Sequence, residues 1–123
     1  MTDLEGPQSL ALELPTAYGL GVRCTIGIEF IVPVTVRAHN ITELTLKVAV
    51  SGHSIIPVSE SLNFSPAPGK EEVVVEVELL SVRASAKKEW VSIEVTGGRM
   101  YQAVGFLIEV SESFGPTPEY QVN

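Results

Sequence analysis

With 123 residues and a single cysteine, Cys24, the chain is one domain's worth of sequence that must be held by its apolar core, because one thiol excludes an internal disulfide. Fifteen acidic residues against eight basic ones give a formal charge of −7, which repels phosphate backbones and anionic headgroups and argues against a nucleic-acid partner. No window approaches the ~20 consecutive apolar residues of a membrane span, and the opening MTDLEGPQSL lacks the basic and apolar regions of an export signal, so no membrane insertion is expected. A cytoplasmic location follows for the chain as written; a trimmed leader would make it extracellular.

Residues 1–8 are polar with a Gly6-Pro7 break and are expected to form a disordered tail before a single domain over 9–110. Ser9 to Leu14 alternates as a short first strand, Pro15 ends it, and Pro15 to Gly21 reads as a loop. Ile26 to Ala38 is the longest candidate strand, with Ile28, Phe30, Val32, Val34, Val36 and Ala38 on one face. Pro33 removes a ladder donor in mid-run, which predicts a bulge, an edge position or a change of sheet. A turn at His39-Asn40 leads into Glu43 to Val50, whose inward residues are Leu44, Leu46, Val48 and Val50. Ile55 to Val58 is a short apolar piece and Glu60 to Phe64 a weak strand; after the turn SPAPGK, Glu72 to Leu80 alternates strongly, with Val73, Val75, Val77 and Leu79 inward. Ser81 to Lys88 is a loop with room for one helical turn at Val82 to Ala86.

Glu89 to Val110 reads in one pass as strand, two-glycine turn, strand. With Gly97 and Gly98 as the loop, Thr96 faces Arg99, Val91 faces Val104 and Trp90 faces Gly105. Val91, Ile93, Val95, Val104, Phe106, Ile108 and Val110 then share the core face, and Trp90, Ser92, Glu94, Tyr101, Ala103, Gly105, Leu107 and Glu109 share the other. Residues 111–123 carry two prolines and are expected to be a flexible tail.

About seven short strands without an amphipathic helix predict an all-β, immunoglobulin-like antiparallel sandwich, with an open Greek-key barrel as the alternative. The strands at 9–14, 26–38 and 72–80 should lie in one sheet, and those at 43–50, 89–96 and 100–110 in the other. PVTVRAHNITELTLKVAVSG (33–52), FSPAPGKEEVVVEVEL (64–79) and the closing hairpin resemble the Ig-like CARDB modules of archaea and bacteria. That resemblance implies an accessory, adhesive or spacing domain without catalytic residues.

The residues offer little chemistry. His39 and His53 are separated by a whole strand and so belong at opposite ends of the sandwich, Cys24 has no histidine near it, and neither a metal nor a cofactor is expected. Glu76 and Glu78 share a sheet face about 7 Å apart, a spacing some glycosidases use, but outward glutamates on a half-solvated strand ordinarily serve solubility. No nucleophile motif or phosphate-cradling loop is present, and the expectation is a protein that is not an enzyme. Asn40-Ile41-Thr42 and Asn63-Phe64-Ser65 match the glycosylation pattern and would matter only on an exported chain.

The informative anomaly is apolar residues pointing outward. Trp90, Ala103, Gly105, Leu107 and Tyr101 form a candidate binding face, and Ile31, Val74 and Leu80 a second one on the other sheet. Glycine rescue accounts for a tryptophan over Gly105; a docking anchor accounts for it equally. Two functions are therefore carried forward. One is a protein interaction or self-association module working through the Trp90 face; the other is a surface-structural or carbohydrate-binding module in which Trp90 and Tyr101 stack on sugars.

Overall fold

The computed structural model describes residues 7–67 and 69–112, and the backbone of Tyr120–Val122. Its strands are β1 (Ser9–Glu13), β2 (Val22–Thr25), β3 (Glu29–His39), β4 (Leu44–Val50), β5 (Ile55–Pro57), β6 (Ser61–Phe64), β7 (Glu72–Ser81), β8 (Glu89–Gly97), β9 (Met100–Ser111) and β10 (Tyr120–Val122). They form two sheets, ordered β1-β3-β7-β5 (sheet A) and β10-β2-β9-β8-β4-β6 (sheet B). The class and the sheet assignment of every long strand are as the alternation predicts. Among the described residues ten strands stand where about seven were expected, because β2, β5 and β10 are too short for a period of two to show.

The core is built mainly from inward positions read from the sequence, joined by Tyr18, Val22, Ile41 and Ile55, which alternation did not mark. Val32, Val34 and Val36 of β3, Leu46 of β4, Leu79 of β7 and Val91, Ile93 and Val95 of β8 are all fully enclosed. Valine dominates because β-branched side chains suit a pleated, buried surface. Tyr18 and Phe106 close one end of this core edge to face, with ring centroids 5.0 Å apart and planes at 78°.

Pro33 causes neither a bulge nor a change of sheet. The β3–β7 register runs unbroken from Glu29 opposite Leu80 to Arg37 opposite Glu72. Ala38 N–H donates to Glu71 O and Ser81 N–H to Ile28 O, so even-numbered residues of β3 address β7 and odd-numbered ones the β1 side. β1 stops at Glu13, opposite Thr35, and the Pro33 nitrogen lies past its end, where no donor is required. The change of sheet comes earlier. A 3-10 turn at Thr16–Leu20, inside the segment read as loop, carries the chain from β1 in sheet A to β2 in sheet B. β2 then runs parallel to β9, with Val22 opposite Ile108 and Cys24 opposite Val110.

The turn from β2 to β3 is secured by the end of β7, the neighbour of β3 in sheet A. Buried Ser81 donates its hydroxyl to Thr25 O at 2.6 Å and accepts Ile28 N–H at 2.9 Å, while its carbonyl accepts Gly27 N–H. The helical turn expected at Val82 to Ala86 is absent; there Ser85 accepts Val110 N–H at 2.9 Å instead, capping the end of β9.

The predicted tails are partly built in. Gln8 donates to Asn40 O at 3.1 Å and accepts Arg99 N–H at 2.9 Å, which ties the N-terminal segment to two turns. Tyr120–Val122 adds a parallel strand beside β2. The remaining tail residues, 1–6 and 113–119 with 123, lie outside the described residues.

Candidate interaction face

The hairpin that displays Trp90 is shifted by two from the expected register. Gly97 faces Met100, so the loop residues are Gly98 and Arg99, and Trp90 faces Leu107 while Ser92 faces Gly105. Only Gly98, at φ 56°, adopts the left-handed region, as a two-residue turn with glycine at its first central position requires. Gly97 is needed for another reason: a Cβ there would come within 2.6 Å of Leu44 Cδ2 and 2.7 Å of Ile41 Cγ2. Because the shift is even, every side chain keeps its predicted face.

On the outer face of sheet B, Trp90 is 46% and Leu107 42% exposed. The indole leans diagonally onto Gly105, where a Cβ would lie 2.6 Å from Cε2, so the contact inferred from the sequence exists although the two residues are not opposite each other. The backbone beneath is fixed, since Ser51 Oγ accepts Trp90 N–H at 2.9 Å and Trp90 O accepts Ser51 N–H. Beside the ring lies a cleft of about 240 Å³ between the 3-10 turn and β9, bordered by Leu20, Lys88, Trp90, Gly105 and Leu107. Leu20 is 65% exposed and completes the shelf. Sequence reading missed it, though a leucine among the turn formers of PTAYGLG was the available signal.

Ala103 and Tyr101 do not join this shelf. They face Glu94 and Thr96 near the far end of β9, and the Tyr101 hydroxyl donates to the Glu94 carboxylate. That bond, more than any burial, raises the Tyr101 pKa. Of the second face, Ile31 and Val74 are exposed and Leu80 is half-buried.

The other polar residues singled out in the sequence are dispersed over the fold. His39 Nδ1 lies 2.6 Å from Glu71 Oε2 at the end of β3, and His53 sits in the loop between β4 and β5. Among the described residues no group of three or more His, Cys, Asp or Glu is placed to hold a metal. Glu76 and Glu78 face Pro33 and Ile31 on an open sheet surface. Glu89 is an acid on the core face, where its carboxylate accepts Ser54 N–H at 3.2 Å and packs on Gly52. Its parity with Val91 and Ile93 was the clue in the sequence. Of the two glycosylation patterns, Asn63 is exposed on β6, while the Asn40 amide donates to Pro7 O at 2.8 Å. No helix among the described residues is long and apolar enough to cross a membrane.

No family model matches the chain, and no curated protein matches it. Among solved structures, it is similar to an ASH/PapD-like domain of human CEP192, at 7% identity over 87% of each chain and TM-score 0.52. It is similar to part of a family 123 glycoside hydrolase from Clostridium perfringens, at 13% identity over 87% of this chain and 28% of that one, TM-score 0.51. The S-layer protein SbsC, domains 4 and 5, matches at 14% identity over 85% of this chain and 47% of that one, TM-score 0.50. At these identities the likeness shows the fold, an Ig-like and PapD-like sandwich.

Proposed function

We propose that this domain is a non-catalytic interaction or assembly module that docks a protein partner, or a second copy of itself, through the outer face of sheet B with Trp90 as the anchor. The observation that carries the reading is a tryptophan held half-exposed on a fixed backbone, flanked by Leu107 and Leu20 and by a shallow cleft. Tryptophan is the residue most enriched at binding hot spots, and a rigid shelf lowers the entropy lost on docking.

The alternative, a surface-structural or carbohydrate-binding module of CARDB type, needs Trp90 and Tyr101 to stack on one sugar chain. The register separates Tyr101 from Leu107, the partner of Trp90, by roughly 20 Å of strand at ~3.4 Å per residue. The Tyr101 hydroxyl is also engaged by Glu94. These observations favour the protein-docking reading.

Trp90→Ala tests it, with sedimentation of the protein alone and with recovered partners measured beside thermal unfolding. An anchor loses association by roughly 2 kcal/mol or more. A ring that only covers Gly105 costs stability on the order of 0.2 to 1 kcal/mol and leaves every association intact, and that result rejects the proposal.

A further inference from the structure

The outer face of sheet A carries exposed apolar and acidic side chains side by side. Across β3, β7 and β5, one row reads Glu29, Leu80, Ile56 and the next Ile31, Glu78, with Val58 N–H bonded to Glu78 O in line with it. The next rows set Pro33 opposite Glu76 and Thr35 opposite Val74, so that Glu78 and Glu76 follow one another along β7. Ile31, Ile56, Val58 and Val74 are 47, 50, 54 and 54% exposed, so four of the large apolar side chains left open to solvent are interleaved here with three carboxylates.

No lysine or arginine of β3, β7 or β5 interrupts these rows; the basic residue of the face, Arg37, lies beyond them and is held by Glu72 at 2.7 Å. We propose that this face docks a cationic amphipathic helix of a partner protein, with aliphatic side chains seated on Ile31, Ile56 and Val58 and lysines or arginines on Glu29, Glu76 and Glu78. Charge complementarity selects this occupant. A second copy stacked face to face would oppose carboxylate to carboxylate, and an anionic membrane would be repelled. The rows lie on the sheet surface, away from the open backbone of its edges, which favours a helix laid on side chains over an added strand. The proposal is independent of the Trp90 shelf, which faces the opposite way.

The test uses a fluorescent helical peptide of leucine and lysine at helical spacing, titrated by anisotropy with the intact protein at low and physiological salt. The charge reversal Glu76→Lys with Glu78→Lys should weaken binding roughly tenfold or more, and Ile31→Thr with Val74→Thr should weaken it while preserving strand propensity. Glu43→Lys with Glu112→Lys makes the same change in net charge outside sheet A and should alter affinity little, as should Trp90→Ala. Equal losses from both charge reversals mean that only net charge is sensed and overturn the proposal. It is also overturned by no binding to the wild type, by equal binding of a peptide with glutamate in place of lysine, or by loss confined to Trp90→Ala.

Discussion

Cys24 is fully enclosed between the sheets, and burial pushes its thiol up to about 11 from 9.0, opposed only in part by the Ser81 hydroxyl. A raised folded pKa means that the unfolded thiol ionises first. The Cys24 contribution to stability is therefore complete below about pH 9 and is lost as pH rises toward 11. The difference in urea midpoint between wild type and Cys24→Ala should accordingly shrink across that window. The same enclosure predicts slow reaction with a chromogenic disulfide until denaturant is added. At this scale parity was legible along the long strands but did not place Cys24, which stands between Arg23 and Thr25 on a strand too short to show a period. It was silent on Ser81, because a serine that clamps a distant turn looks like any serine at the end of a strand.

The β8–β9 hairpin separates two uses of glycine that adjacent letters cannot distinguish. Gly98 supplies a positive φ and meets only the movable end of the Gln8 side chain, whereas Gly97 supplies absence of bulk against Leu44, Ile41 and the Glu43 carbonyl. Both substitutions at Gly98 displace Gln8, but asparagine tolerates the left-handed region, so Gly98→Asn should cost less than Gly98→Ala by up to roughly 1 kcal/mol. Gly97→Ala should cost roughly 1 to 3 kcal/mol through overpacking, and Gly97→Asn no less. Urea midpoints of the four variants decide the matter; equal tolerance of Asn at both positions would restore the loop expected from the sequence. The register was misread by two because turn chemistry alone could not say that one glycine belonged to the strand. The face of every residue was nonetheless right, since a pleat repeats every two residues. Trp90, Leu107 and Gly105 were found in this way, and Leu20 was not, because it arrives from a turn with no periodicity of its own.

At the scale of the whole molecule, the chain visits the sheets alternately from β1 to β8, so nearly every long element is bonded to partners distant in sequence. Alternation revealed which strands are long and which sides face inward. It did not reveal the sheet switch at Thr16–Leu20, where a 3-10 turn substitutes for a break. Nor did it reveal β10, three residues with no pattern to read.

The parallel pairing of β2 with β9, and of β10 with β2, gives this fold a direction of mechanical strength. Tension that draws the start of β2 away from the end of β9 slides the strands lengthwise and loads the whole ladder at once. Tension between Glu89 and Ser111, the two ends of the β8–β9 hairpin, opens that ladder one rung at a time. In an optical trap, handles near Gly21 and Glu112 should therefore require a distinctly higher rupture force than handles at Glu89 and Ser111, since forced unfolding is governed by the barrier along the pulled coordinate. Equal forces in the two geometries would show that the parallel ladder does not bear the load.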